Sequence, residues 1–204
     1  MRSGRPTIEI TRQKLGFYAD FLLCPIAIGA LLTHAWTYSP LREMRDISLA
    51  FFAGVVGWSL AEYLLHRYVL HALPPFRRLH ALHHAAPREL IGAPAWLSPA
   101  LALVLFALTC YFGDVSLACG ATVGVTLGYL VYVSVHYATH HLPNLRWPWL
   151  RKLRRAHALH HRSALPCNFG VSTGLWDAFF RTAAPVCPSE GPGGPTRDGR
   201  DRAV

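Results

Sequence analysis

The chain has 204 residues and a formal net charge of +9, and it is 52% hydrophobic and only 15% charged, where an ordinary soluble domain carries about 25% charged residues. Its apolar residues lie in long runs with the arginines at their ends. This argues against an independent nucleic-acid-binding domain and for a bilayer with an anionic surface. The five cysteines are odd in number and have no CxxC spacing, so neither a disulfide framework nor a thiolate metal site is expected.

In chain order, residues 1–14 are polar and carry Arg2, Arg5, Arg12 and Lys14. Leu15 to Thr33 is apolar except for Asp20 and is long enough to span a bilayer. His34, Trp36 and Tyr38 follow, the aromatics suiting an interfacial belt. A cleaved signal peptide fits less well, because the apolar stretch is too long and contains an acid. Ile47 to Leu65 is the second expected span, with Glu62 its only charge. Pro74 and Pro75 stop the helix.

Ala93 to Phe112 reads as a third span and Val115 to Val135 as a fourth, both uncharged and joined by a tight Gly113-Asp114 turn. Gly120, Gly124 and Gly128 stripe one face of the fourth, which lets a neighbouring helix approach closely. Trp147 to Ser163 reads as an amphipathic helix in the interface plane. Leu150, Leu153, His157, His160 and Ala164 share one face of it, and Arg151, Lys152, Arg154, Arg155 and Arg162 crowd the other. Residues 183–204 are rich in Gly, Pro and charge and read as a disordered tail.

The positive-inside rule orients these spans. Four Lys and Arg residues precede span one, three lie in the 74–92 loop and ten follow span four, against two between spans one and two and none between spans three and four. Both termini and the 74–92 loop are therefore expected on the cytoplasmic side, the inner-membrane side in a bacterium.

That side also holds eleven of the twelve histidines. His80, His83 and His84 stand at i, i+3, i+4, as do His157, His160 and His161, and His136 and His140 are i, i+4. His66 and His71 are five apart, about 140° around an α-helix, and need a bent helix end to converge. His141 points about 140° from His136 by the same arithmetic and is the weakest ligand candidate. His34 reads as an ordinary surface residue. Clustered imidazoles away from water need a cation or protons, and neutral imidazole is a common metal ligand. Ten candidates at four to six per metal favour two metals over one. Imidazole suits iron, zinc and copper alike, so the ligand type does not name the metal.

The motifs HX4H (66–71), HXXHH (80–84), HX3HH (136–141) and HXXHH (157–161), followed by NFGVSTGLWDAFFRT, resemble the fatty acid hydroxylase / sterol desaturase superfamily, and within it the fatty acid 2-hydroxylase branch, over residues 47–182. The resemblance implies an all-α integral membrane protein of four transmembrane helices with a cytoplasmic, helical, histidine-rich dimetal cap. Residues 15–182 would form that domain. It implies two iron ions, with zinc a possible occupant of purified protein, and O2 as co-substrate for hydroxylating a lipid. The ligands it carries over are His66, His71, His80, His83, His84, His136, His140, His157, His160 and His161.

Three departures stand out. Arg181 replaces the Gly usual in the closing WDxxFGT, a change expected to matter little. Eight residues separate His71 from His80, a short interval that bears on the substrate roof. The sequence carries no cytochrome b5-like segment, so a separate electron donor (ferredoxin or cytochrome b5-like) and a reductase are expected.

Three further polar residues have two readings each. Glu62 is one turn before His66 and is either a partner of a ligand histidine or an interfacial charge. Asp177 either orients a histidine or caps a turn, and Asn168 either holds a metal-bound water or makes a turn. Asp20 has no evident partner. A desaturase or a sterol or carotenoid oxidase remains open within the same superfamily. A b-type cytochrome would place single histidines at mid-depth of facing spans, and a metalloprotease would want HExxH, which is absent.

Overall fold

The computed structural model describes residues 7–90, 94, 96–162 and 166–184, with side chains from residue 14. The described residues form seven α-helices and no strand: α1 (Thr7–Tyr38), α2 (Met44–Leu64), α3 (Phe76–Ala85), α4 (Leu97–Phe112), α5 (Val115–His141), α6 (Pro148–Arg162) and α7 (Leu175–Phe179). A short 3-10 turn, Leu41–Glu43, leads into α2, and a π-helical turn, Leu65–Leu70, continues it.

Three helical segments are long and apolar enough to cross a membrane: Lys14–Tyr38, Leu41–Leu70 and Val115–His141. The third expected span, Ala93 to Phe112, is shorter than the sequence suggests. Helix α4 begins only at Leu97 and has 16 residues, about 24 Å at 1.5 Å per residue against a hydrocarbon core of about 30 Å. At the N-terminus, α1 starts at Thr7, inside the stretch read as a separate polar segment. The tail expected after Ala183 lies, from residue 185 on, outside the described residues.

Helix α5 is the organising element and packs against α1, α2, α4 and α6. Asp114 caps it by accepting the Leu117 N–H at 2.8 Å. Its glycine stripe lies directly against α2. A Cβ on Gly120 would stand 2.3 Å from the Ile47 carbonyl oxygen, and one on Gly124 would stand 2.1 Å from that of Phe51. A Cβ on Gly54 of α2 would lie 2.6 Å from the Ala121 carbonyl oxygen. Lipid tails are as apolar as leucine, so helices in a bilayer gain from close backbone packing rather than from hydrophobic burial, and small residues allow it.

Asp20 acquires partners in the fold. Its carboxylate accepts the Tyr129 hydroxyl at 2.5 Å and the Ser98 hydroxyl, tying α1 to α5 and α4.

Above the spans, Leu150 of α6 and Val171 pack on Val135 and Ala138 of α5 as a small apolar core. The basic face of α6 is not uniformly free. Arg151, Lys152 and Arg155 are exposed, but Arg154 folds back to donate to the carbonyls of Ala138 at 3.2 Å and Leu142 at 2.8 Å. It thereby adds a second donor to the carbonyls at the end of α5, which the N–H groups of Leu142 and Leu145 reach at 3.3 Å and 3.1 Å.

Candidate metal centre

The HX4H motif reaches its place through a change of helix type. In the π-helical turn Leu65–Leu70 the hydrogen bonds run from i to i+5, so residues five apart return to about the same face. His66 and His71 therefore both turn inward, with ring centroids 5.2 Å apart. This is the bend that the spacing demands.

The imidazoles then sort into two sets. His66, His71, His80, His84 and His160 form one, and His83, His136, His140 and His157 form the other, with one ring nitrogen of each member within 4.8 Å of the others in its set. In the first set, His80 Nε2 lies 3.0 Å from the Nε2 atoms of His66, His71 and His84, and His160 Nε2 lies 3.1 Å from those of His71 and His84. In the second, His136 Nε2 is 3.1 Å from His83 Nε2, and His140 Nε2 is 2.9 Å from His157 Nε2.

Each HXXHH helix serves both sets. His80 and His84 go to the first and His83 to the second, while His160 goes to the first and His157 to the second. Alternation along α3 and α6 thus places the sets side by side. His161 stands outside both, with its Nε2 3.1 Å from that of His157 and its ring stacked on His84 at 4.2 Å. His141 also stands outside them and stacks on Tyr137 at 4.6 Å. His34 is remote, against Tyr38.

Convergent nitrogens at these separations call for a cation. His66 Nδ1 donates to the Phe169 carbonyl at 2.6 Å and His160 Nδ1 to the Cys167 carbonyl at 2.7 Å. Each neutral ring carries one proton, so the Nε2 of both is a bare lone pair. Protonation does not relieve the crowding. Burial first and neighbouring imidazoles second push His71 and His84 down to about 4 and His83 down to about 3. Burial likewise lowers His80, His157 and His160. The rings are neutral at pH 7, the form that binds metal, and the donor set fits two imidazole-ligated ions.

The carbonyls that orient the histidines belong to the loop Cys167–Ser172, and two buried acids hold that loop. Glu62 accepts the N–H groups of Val171 at 2.6 Å and Ser172 at 2.8 Å, together with the Ser172 hydroxyl. Asp177 accepts the N–H groups of Phe169 at 2.8 Å and Gly170 at 2.7 Å, and the Thr182 hydroxyl at 2.7 Å. Among the described residues neither acid hydrogen-bonds a histidine. Each acts through the loop: Asp177 fixes Phe169, Phe169 fixes His66.

Asn168 makes the turn. Its φ is 52°, its amide donates to the Ala156 carbonyl at 3.2 Å, and its side-chain oxygen accepts the Ala184 N–H at 3.0 Å. Gly170 has no room for a side chain, since a Cβ there would sit 2.0 Å from the Thr173 carbonyl oxygen. Trp176 donates its indole N–H to Ser59 at 3.0 Å and so anchors α7 to α2.

Sequence reasoning missed Phe169, whose ring packs against His66, His71 and His160, with Arg67 on it at 5.7 Å. An aromatic residue between Asn168 and Gly170 in a motif with no other task was the available signal. The replacement at 181 also gains a physical meaning. Arg181 has φ 56°, the left-handed region that glycine enters without a Cβ penalty, so this departure carries backbone strain and is not neutral.

Comparison with known proteins agrees with this architecture. The fatty acid hydroxylase family model matches residues 51–182. The human fatty acid 2-hydroxylase is 34% identical over 152 residues, covering 68% of this chain and 40% of that protein. The ceramide very long chain fatty acid hydroxylase of Saccharomyces cerevisiae is 32% identical over 163 residues, covering 70% of this chain and 40% of that protein. The solved structure of full-length scs7p, in which only the hydroxylase domain is visible, superimposes with a TM-score of 0.68 at 25% identity, covering 83% of this chain and 67% of that one. The chain thus spans about 40% of the length of the human and yeast relatives.

Proposed function

The chain belongs to the fatty acid hydroxylase family, and from that premise we propose that it is a membrane-bound, O2-dependent hydroxylase of lipid acyl chains that works with two iron ions. The observation that carries this reading is the pair of imidazole sets side by side at the ends of apolar helices. His66, His71, His80, His84 and His160 would hold one ion. His83, His136, His140 and His157 would hold the other, with His161 completing it beside His157.

Iron bound there would supply the activation of O2, with one oxygen atom going into a C–H bond, the other leaving as water, and two electrons and two protons coming from outside. The polypeptide supplies the rest. It fixes the His66 and His160 rings through the 167–172 loop, keeps the ligands neutral by burial, and presents the acyl chain at the level of the membrane surface. That level suits a carbon next to the polar end of a lipid rather than one at mid-chain. It accords with the names of the relatives, which are fatty acid 2-hydroxylases and, in Arabidopsis thaliana, a dihydroceramide fatty acyl 2-hydroxylase.

The Lys and Arg distribution supports both termini and the histidine cap on the cytoplasmic side, where a ferredoxin or a cytochrome b5-like donor and its reductase would deliver the electrons. Lipid extracts of a deletion strain and its parent, compared by mass spectrometry, test the reading. The parent alone should contain a 2-hydroxylated acyl lipid, and two identical extracts would refute the reading. Protein purified with iron in the absence of oxygen should hold about two metals per chain, from the number of ligands.

A further inference from the structure

A narrow cleft reaches the second histidine set. It has a volume of about 20 Å3 and touches His83, His136 and His140. Phe17 of α1, Leu90 of the turn after α3 and Tyr137 of α5 make its apolar wall, and Glu89 and His141 are its polar part. Phe17 and Tyr137 lie against each other with centroids 5.8 Å apart, and Tyr137 in turn stacks on His141. As it stands, the space holds one or two water molecules, and turning these two rings aside is what would widen it.

Its position is informative. Phe17 lies three residues into the span of α1 and Tyr137 lies four residues from the end of α5, so the cleft sits at one end of both. That is where the polar end of a lipid meets its acyl chain. The neighbouring outer surface of α1 presents apolar side chains, with Leu15 71% and Leu22 63% exposed, so a chain arriving from the bilayer meets apolar contacts on its way to Phe17.

We infer that this cleft is the port through which the acyl chain of the substrate reaches the metals. Phe17 and Tyr137 are its gate, and Glu89 and His141 face the lipid's polar end. The inference rests on the lipid hydroxylase reading above and adds a residue to it from outside the matched region. Phe17 precedes residue 51, where the family match begins, so α1 sets which chain passes.

The test has two arms. In the first, the purified metal-loaded protein is photolysed with a fatty acid carrying a diazirine near its carboxyl end, and the labelled peptides are mapped. Label is expected on the peptides bearing Phe17, Leu90 or Tyr137. Phe17→Trp, which fills the cleft, should cut that label about tenfold, the scale on which pockets discriminate by size, whereas Leu22→Ala on the lipid-facing side should leave it unchanged. Metal content should be the same in all three proteins. In the second arm, Phe17→Trp should lose at least about tenfold in hydroxylation of long acyl chains.

If Phe17→Trp does not accumulate, Leu90→Trp fills the same cleft from the cap side and is read in the same way. Label spread over the outer helix faces and insensitive to the filling substitution would overturn the port, even with hydroxylation intact. Cleft labelling in a protein that oxidises no lipid would instead refute the hydroxylase reading and leave the port as a lipid site.

Discussion

Replacing Gly124 with alanine tests whether the α2–α5 contact holds the two halves of the metal centre in register. The added Cβ would stand 2.1 Å from the Phe51 carbonyl oxygen and 2.9 Å from its carbonyl carbon. Real Cβ contacts begin at about 3 Å, so the two helices must part by roughly 1 Å. Both obstacles are backbone atoms, and neither can rotate away. Overpacking of this kind costs about 1–3 kcal/mol, and rigid obstacles place it at the upper end. Alanine returns about 1 kcal/mol in helix propensity. The net expectation is a loss of about 2 kcal/mol, near 30-fold in the folded population.

The displacement acts directly on the site, because α2 runs into His66 and α5 carries His136 and His140. Gly57→Ala is the control: it lies on the same α2, and its Cβ would meet nothing within 4 Å. The assay is thermal unfolding in detergent together with metal content per chain. Gly57→Ala should match the parent or exceed it, and Gly124→Ala should melt lower and hold less metal. Equal melting and metal content for the two variants would show that the close approach of α2 and α5 does not support the centre.

Further outcomes follow from the site. His83→Ala and His160→Ala should each lose metal and activity, while His141→Ala keeps its metal, as read by metal analysis at equal membrane abundance. Asp177→Ala should weaken metal binding by about 10–100-fold without removing a ligand, the usual effect of losing a group that orients ligands; unchanged affinity in a competition titration would reject the loop as the orienting element. Arg181→Gly should raise the melting point, since a non-glycine residue in the left-handed region costs about 1 kcal/mol or more. The metal-free protein should lose stability as pH falls from about 6.5 towards 4. In that window unfolded histidines take up protons near their ordinary value of about 6.5, while His71 and His84, held at about 4 in the fold, do not. The unfolded state binds more protons there, so acidification favours it. A melting temperature flat between pH 7 and pH 5 would contradict this.

Much of the fold is legible in the sequence because bilayer constraints are coarse. An apolar run long enough to cross hydrocarbon must be a helix, since its backbone has no other partner there, and this places α1, α2 and α5. The glycine stripe of α5 was also readable, because small residues every fourth position have one main use between helices. The length of α4 was not. Residues 93–96 are as apolar as the residues that follow, and composition does not say where the helix begins. Arg154 is grouped by helical periodicity with Arg151 and Arg155 on the basic face of the interfacial helix. Its long side chain reaches back to the carbonyls of Ala138 and Leu142, a choice made by tertiary context that periodicity does not contain.

The histidines were legible one motif at a time, but their division was not. An i, i+3, i+4 spacing says that three imidazoles share a face of a helix, not that the face meets two different partners. On α3 the division arises because α5 approaches beside His83, while the π turn approaches beside His80 and His84. The same spacing on α6 is read by the same two neighbours, which is why the motif occurs twice. The five-residue interval between His66 and His71 implied a frayed or bent helix end, since a regular α-helix leaves them on different sides, but not that the departure would be a π turn. The acids show the opposite limit. Glu62 and Asp177 were visible as candidates, yet their partners are backbone N–H groups of a loop whose path is set by Asn168 in the left-handed region and by Gly170 against Thr173. Glu62 one turn before His66 suggested a direct bond; the fold places a loop between acid and histidine, so the acids govern the candidate ligands only as firmly as that loop holds its shape.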